Sequence, residues 1–349
     1  MIEVSYLPPP INPDSDYSGR FIAAGVILLL IAVMAGCLTA LMPVGYVIQQ
    51  QNYATYQQMI AQQPAAVHVT YRYPQPQPIQ NFIYGIVLYG AVMVSCAWLG
   101  IGAFLKRRYV RPLVMIFSWQ AIVVLVLAGI SALIGLFIIV SDPALNHYTV
   151  NPYVIIASTM VGLAIMIALP TALYLLMKND GVRTTAEFFD LKARWTDRMP
   201  LPVLGFFLTL VVFTGFECLM LAKPSLPLIM TYATGLPAAA ILFLHIAVMG
   251  LASYWIYSGD HRGWTLGFWA MIVPLVIFSI STVTLPTEAY TRLVTEQSPE
   301  GVRLVENHEL AMRVSWLIIC LLLIVTTVIY FRSVRRSLPQ AALPVIPLQ

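Results

Sequence analysis

Two ionisable residues, Glu217 and His245, stand inside long apolar runs of the chain. A charged or titrating group in hydrocarbon is costly, so such residues mark proton relays, cation sites or polar-solute sites by default. A carboxyl group beside an imidazole can pass a proton, hold a cation or hydrogen-bond a polar substrate. Glu217 lies five residues before its run ends at Ala222, which is about 7–8 Å of depth at 1.5 Å per residue. His245 lies eight residues beyond Pro237, so a helix starting at that proline places it about 12 Å deep. On adjacent antiparallel helices the two side chains then meet. A helix starting at Leu228 would instead carry His245 into the opposite half of the membrane and separate them. The plainer reading of the pair is a structural interhelical hydrogen bond. Gln120, beside Trp119 in a third apolar run, is expected to face the bundle and bond across helices in the same way.

Other chemistries lack their residues. A bis-histidine haem needs two intramembrane histidines, and the runs hold one. His68, His147 and His308 belong to three separate loops without metal-ligand spacing. No H-E-x-x-H and no G-x-x-x-x-G-K-[ST] occurs. Cys37, Cys96, Cys218 and Cys320 each sit alone in an apolar run, as small buried hydrophobes do. The sequence therefore predicts no catalytic residues, no cofactor and no metal, and leans away from an enzyme.

The elements that must position Glu217 and His245 follow from composition. Of 349 residues, 59% are hydrophobic and 10% charged, against about 25% charged in a soluble chain. That excludes a soluble enzyme and a disordered chain. Eight apolar runs are long enough to cross a bilayer: 21–47, 82–105, 113–140, 153–177, 201–222, 228–257, 264–285 and 314–331. The fold class is all-α, a polytopic integral membrane helical bundle of about eight transmembrane helices. Fourteen of the 19 Lys and Arg fall on one side of this threading, among them Lys106, Arg107, Arg108 and Arg111. The positive-inside rule makes that side cytoplasmic, with both termini on it, in a plasma (inner) membrane.

The expected organisation is a cytoplasmic segment over 1–20, a transmembrane domain over 21–331, and a cytoplasmic, disordered tail over 332–349. An outer loop over 48–81 begins as a helix continuing the first span. It then alternates like a strand at 67–73 and becomes polyproline at 74–78. An inner amphipathic helix is expected over 184–198, capped by Thr184 and Glu187. Phe188, Leu191 and Trp195 share one face and Lys192, Arg194 and Arg198 give a basic side, the pattern of a membrane-surface helix. An outer helical loop spans 286–313 and runs into the last span. Small residues four apart, namely Gly36/Ala40, Ala91/Ser95, Ala128/Ala132, Ser131/Gly135 and Ser158/Gly162, are expected to pack helices closely. Pro170 and Pro274 are expected to kink their spans.

The functional reading is an integral membrane protein acting as a subunit, sensor or scaffold of a membrane protein complex. Its partners are the lipid bilayer and other membrane proteins, with no nucleic acid. The runner-up is a transporter of a neutral or lipid-like solute, proton-linked through Glu217 and His245.

Overall fold

A computed structural model describes residues 17–61, 79–141, 152–192, 194–290 and 299–341. The strand and polyproline expected within 62–78, together with His68 and His147, lie outside the described residues. The helices are α1 (Ser18–Ala61), α2 (Ile79–Phe104), α3 (Val110–Ser141), α4 (Pro152–Lys178), α5 (Asp180–Phe189), α6 (Leu201–Met220), α7 (Leu236–Tyr257), α8 (Arg262–Thr284) and α9 (Pro299–Ala341). Residues 287–290 are also helical. A hairpin, β1 (Ser225–Leu228) with β2 (Thr231–Thr234), joins α6 to α7. Eight of the helices, all but α5, are long and apolar enough to cross a membrane. The chain is an all-α polytopic helical membrane protein.

Two compact units divide the chain, residues 1–111 with 176–191 and residues 112–175 with 192–349. In the first, α1 and α2 pack along their length. Their backbones come close at Gly25 and Gly100: a Cβ on either would lie 3.2–3.3 Å from the other's carbonyl oxygen. Gly36 then packs on Met93, so the absence of a side chain sets the separation at both places. In the second unit the buried core is Val203, Phe206 and Leu210 of α6, Met249, Ala252 and Ile256 of α7, Ala270 of α8 and Val334 of α9. Gly267 of α8 lets Phe206 and Leu210 of α6 come close. A Cβ there would meet Leu210 Cδ1 at 2.7 Å.

One boundary that the sequence leaves open is decided, and two others differ from the sequence expectation. Helix α7 begins at Leu236, behind Gly235 at φ 65° and ψ −138°, with Pro237 in its first turn. The apolar residues 228–234 belong to the hairpin rather than to the span, because Ser225 to Leu228 pair with Thr231 to Thr234. The amphipathic helix expected over 184–198 is corrected to α5 alone, followed by a separate 3-10 turn at Trp195–Arg198. Asn179, not Thr184, caps α5, its Oδ1 accepting from the Gly181 N–H at 2.8 Å. Thr184 lies inside the helix and donates to the Gly181 carbonyl. The helix stops at Asp190, whose buried carboxylate accepts from the Arg108 backbone N–H at 3.3 Å and faces Arg107 at 3.7 Å. Finally, residues 332–341, expected within a disordered tail, continue α9 as helix. Apolar burial holds that end, since Val334 is 1% exposed.

Candidate functional site

The site is assembled from three consecutive spans of the second unit. Glu217 stands in the last turn of α6, and its Oε1 lies 2.7 Å from Nδ1 of His245 on α7. The other imidazole nitrogen, Nε2, lies 2.8 Å from the carbonyl oxygen of Ala270 on α8. Both side chains are mostly shielded, 15% exposed for Glu217 and 21% for His245. The second carboxylate oxygen, Oε2, is buried and has no hydrogen-bond partner among the described residues.

The Ala270 carbonyl is available for a local reason. In an α-helix it would accept from the N–H of residue 274, but residue 274 is proline and has none. A carbonyl freed in this way inside a membrane must find another donor. His245 supplies it. Pro274 thus acts on the site through the acceptor it releases four residues earlier.

Hydrogen-bond chemistry then fixes the proton count. A carbonyl oxygen only accepts, so Nε2 carries a proton. Between Nδ1 and Oε1 at 2.7 Å a second proton must lie, because two lone pairs facing each other would repel. Whether it is written on the imidazole or on the carboxyl, the pair holds both protons and is neutral overall. A net-neutral pair is the form that a low-dielectric interior tolerates.

Gln120 is placed elsewhere. Its Nε2 donates to Thr209 Oγ1 of α6 at 2.7 Å, and Thr209 donates to the Gly205 carbonyl at 2.8 Å. This is an α3–α6 strut, separate from the Glu217–His245 contact. The six residues expected on the apolar face and the basic side of one membrane-surface helix are divided between α5, the following link and the 3-10 turn. Phe188, Leu191 and Lys192 are exposed. Trp195 is half-buried and Arg198 exposed on the turn. The Arg194 N–H caps that turn by donating to Asp197 Oδ2 at 2.8 Å.

Two ionic arrangements were not anticipated. In the first unit the basic stretch 106–111 meets the acids of α5. Arg107 faces Asp190 at 3.7 Å, Arg108 faces Glu187 at 3.5 Å and Arg111 faces Asp180 at 3.2 Å. Arg111 also donates to the last carbonyls of α4, Met177 and Lys178. The readable signal is the spacing of Asp180, Glu187 and Asp190, which falls on one helical face. In the second unit Arg313 of α9 pairs with Glu309 at 2.6 Å. It also donates to the carbonyls of Thr282 and Leu285, each at 2.7 Å, so it caps the end of α8. Its guanidinium carbon stands 4.4 Å from the Tyr290 ring centre.

No protein-family model, curated protein or solved structure matches the chain.

Proposed function

We propose that this membrane protein works as a subunit of a membrane protein complex, receiving a partner helix against α3 and α4. The observation that supports this is where the small residues point. Ser131 of α3 and both Ser158 and Gly162 of α4 are exposed, and a Cβ added at Gly135 or Gly162 meets nothing within 4 Å. Glycine in a helix interior costs about 0.5–1 kcal/mol relative to alanine, and no contact among the described residues offsets it here. Ala157, Ser158, Val161 and Gly162, with Val154 and Ile165, line an open apolar trough along α4. Small-residue faces of this kind let a second helix approach closely in lipid, where packing rather than the hydrophobic effect drives association. In contrast, Gly129 is filled from within the chain by Leu163, whose side chain an added Cβ would overlap. The charge bias favours an orientation with both termini cytoplasmic, and a plasma-membrane location belongs to the same proposal.

The test is Gly162→Leu against Gly129→Leu. The first fills an empty trough and should leave folding intact while shrinking the native complex to the mass of this chain. The second should destabilise the chain itself. A native complex unchanged by Gly162→Leu removes the reading.

A second reading, a proton-linked transporter of a neutral or lipid-like solute, is favoured by the Glu217–His245 contact. Under it, Glu217→Gln abolishes uptake into vesicles at normal expression, and unchanged uptake rejects the proton link.

A further inference from the structure

We infer that Glu217 and His245 form a one-proton binding site, and that this proton decides whether α8 is tied to α7 through the carbonyl that Pro274 leaves free. The inference needs neither functional reading above. It starts from the two contacts of His245, 2.7 Å to Glu217 and 2.8 Å to the Ala270 carbonyl. With both protons present, both are hydrogen bonds. When one proton leaves to solvent, the pair becomes a neutral imidazole and a carboxylate, with a net charge of −1. A neutral imidazole has one N–H and one lone pair. If the N–H is Nε2, it serves Ala270 and a bare Nδ1 faces the carboxylate. If it is Nδ1, it serves Glu217 and a bare Nε2 faces the carbonyl. Either tautomer keeps one bond and turns the other into a repulsion.

Chemistry chooses between them. A hydrogen bond to a carboxylate is roughly twice as strong as one to a neutral carbonyl. The carboxylate is also the group that now carries an uncompensated charge, and its Oε2 already has no partner among the described residues. The Nδ1–H form therefore wins, and Ala270 is released. The released carbonyl cannot fall back on its own helix, because Pro274 has no N–H to offer. Helix α8 then loses its tie to α7 at this turn.

Among the described residues, the surroundings add no competing charge at the pair. Between Arg262 and Thr284, α8 has no ionisable side chain past Arg262 itself. Besides Glu217, α6 carries Cys218, which is exposed. Helix α9 packs on α6 and α8. There it contributes Tyr330, bonded to the Pro202 carbonyl, Cys320, and Arg313, engaged with Glu309 and the end of α8. Lys223 follows α6 and Tyr232 lies in the hairpin, while the charged partner acting on His245 is Glu217.

The experiment is nitrogen NMR of histidine-labelled full-length protein in lipid bilayers, titrated from about pH 5 to about pH 10. His245→Asn assigns the signal. The expected result is one titration step, from both ring nitrogens protonated or proton-sharing to a neutral ring with its proton on Nδ1. That is the reverse of the tautomer the Ala270 bond alone would select. Glu217→Gln should abolish the step, because the amide can donate to Nδ1 and hold Nε2–H on Ala270 at every pH. A neutral Nε2–H ring at high pH in the wild type would overturn the inference. So would a step unchanged in Glu217→Gln. Should that variant fail to fold, the wild-type tautomer at high pH still decides.

Discussion

Removing Pro274 should make the His245–Ala270 bond redundant. The perturbation is a double-mutant cycle between His245→Phe and Pro274→Ala. In the wild-type background, His245→Phe removes the donor that the Ala270 carbonyl uses at 2.8 Å, and no helix N–H replaces it. In the Pro274→Ala background, residue 274 donates to that carbonyl along α8, so the same substitution leaves it satisfied. The loss of the Glu217 contact is common to both backgrounds and cancels. What remains is one orphaned intramembrane carbonyl. Interhelical hydrogen bonds in a membrane protein average about 0.6 kcal/mol and reach about 1.7, and an unsatisfied buried group costs about 1–3. The coupling should therefore fall at about 0.6–2 kcal/mol, with His245→Phe less damaging when Pro274 is absent. The assay is reversible unfolding of all four proteins in bicelles. Pro274→Gly repeats the cycle, since it restores the N–H without favouring a straight helix. A coupling below about 0.3 kcal/mol in both cycles, near the additivity error, would refute the link between Pro274 and His245.

Three further outcomes follow from local geometry. Gly263→Ala should destabilise the α7–α8 turn by about 1–3 kcal/mol, because its Cβ would lie 2.6 Å from the Ile256 nitrogen and 2.7 Å from the Ala252 oxygen, backbone atoms that cannot rotate away; an unchanged unfolding midpoint would contradict this. Arg313→Gln should cost about 3 kcal/mol, since it leaves Glu309 with the Thr287 hydroxyl but without its cation and removes the donor to the carbonyls of Thr282 and Leu285. Glu309→Gln should cost less in the same unfolding assay, because the carbonyl bonds stay. Burial pushes the Tyr290 phenol up to about 12, with Arg313 opposing. The neutral form is therefore favoured in the folded state, and this stability is fully present below about pH 10 and lost as pH rises from there towards 12. A pH series of unfolding midpoints should show that alkaline decline weakened in Tyr290→Phe, and equal declines would rule Tyr290 out as its source.

The spans, and where polar residues fall along them, are legible in the sequence because a bilayer imposes one length on every helix. That is why Glu217 and His245 can be matched once α7 is started at Gly235-Leu236-Pro237. The hairpin is hidden because residues 225–234 are nearly as apolar as the span that follows them. The Ala270 link carries a signal, a proline four residues after the acceptor, but identifying the donor requires knowing which face of α7 turns toward α8. The α5 boundary depends on Asp190 meeting Arg107 and Arg108, residues some 80 positions earlier, and no local pattern contains that contact. Spacing alone also misassigns the small residues. Gly25 and Gly100, which set the α1–α2 approach, lie outside the small-residue pairs, whereas Ser158 and Gly162 face outward.

The most direct test of a complex subunit is the native mass of the protein taken from its own membrane in mild detergent. The expected result is a stoichiometric assembly that contains a second membrane protein and falls apart when Gly162 is replaced by Leu. A particle with the mass of this chain and its bound lipid alone would contradict it.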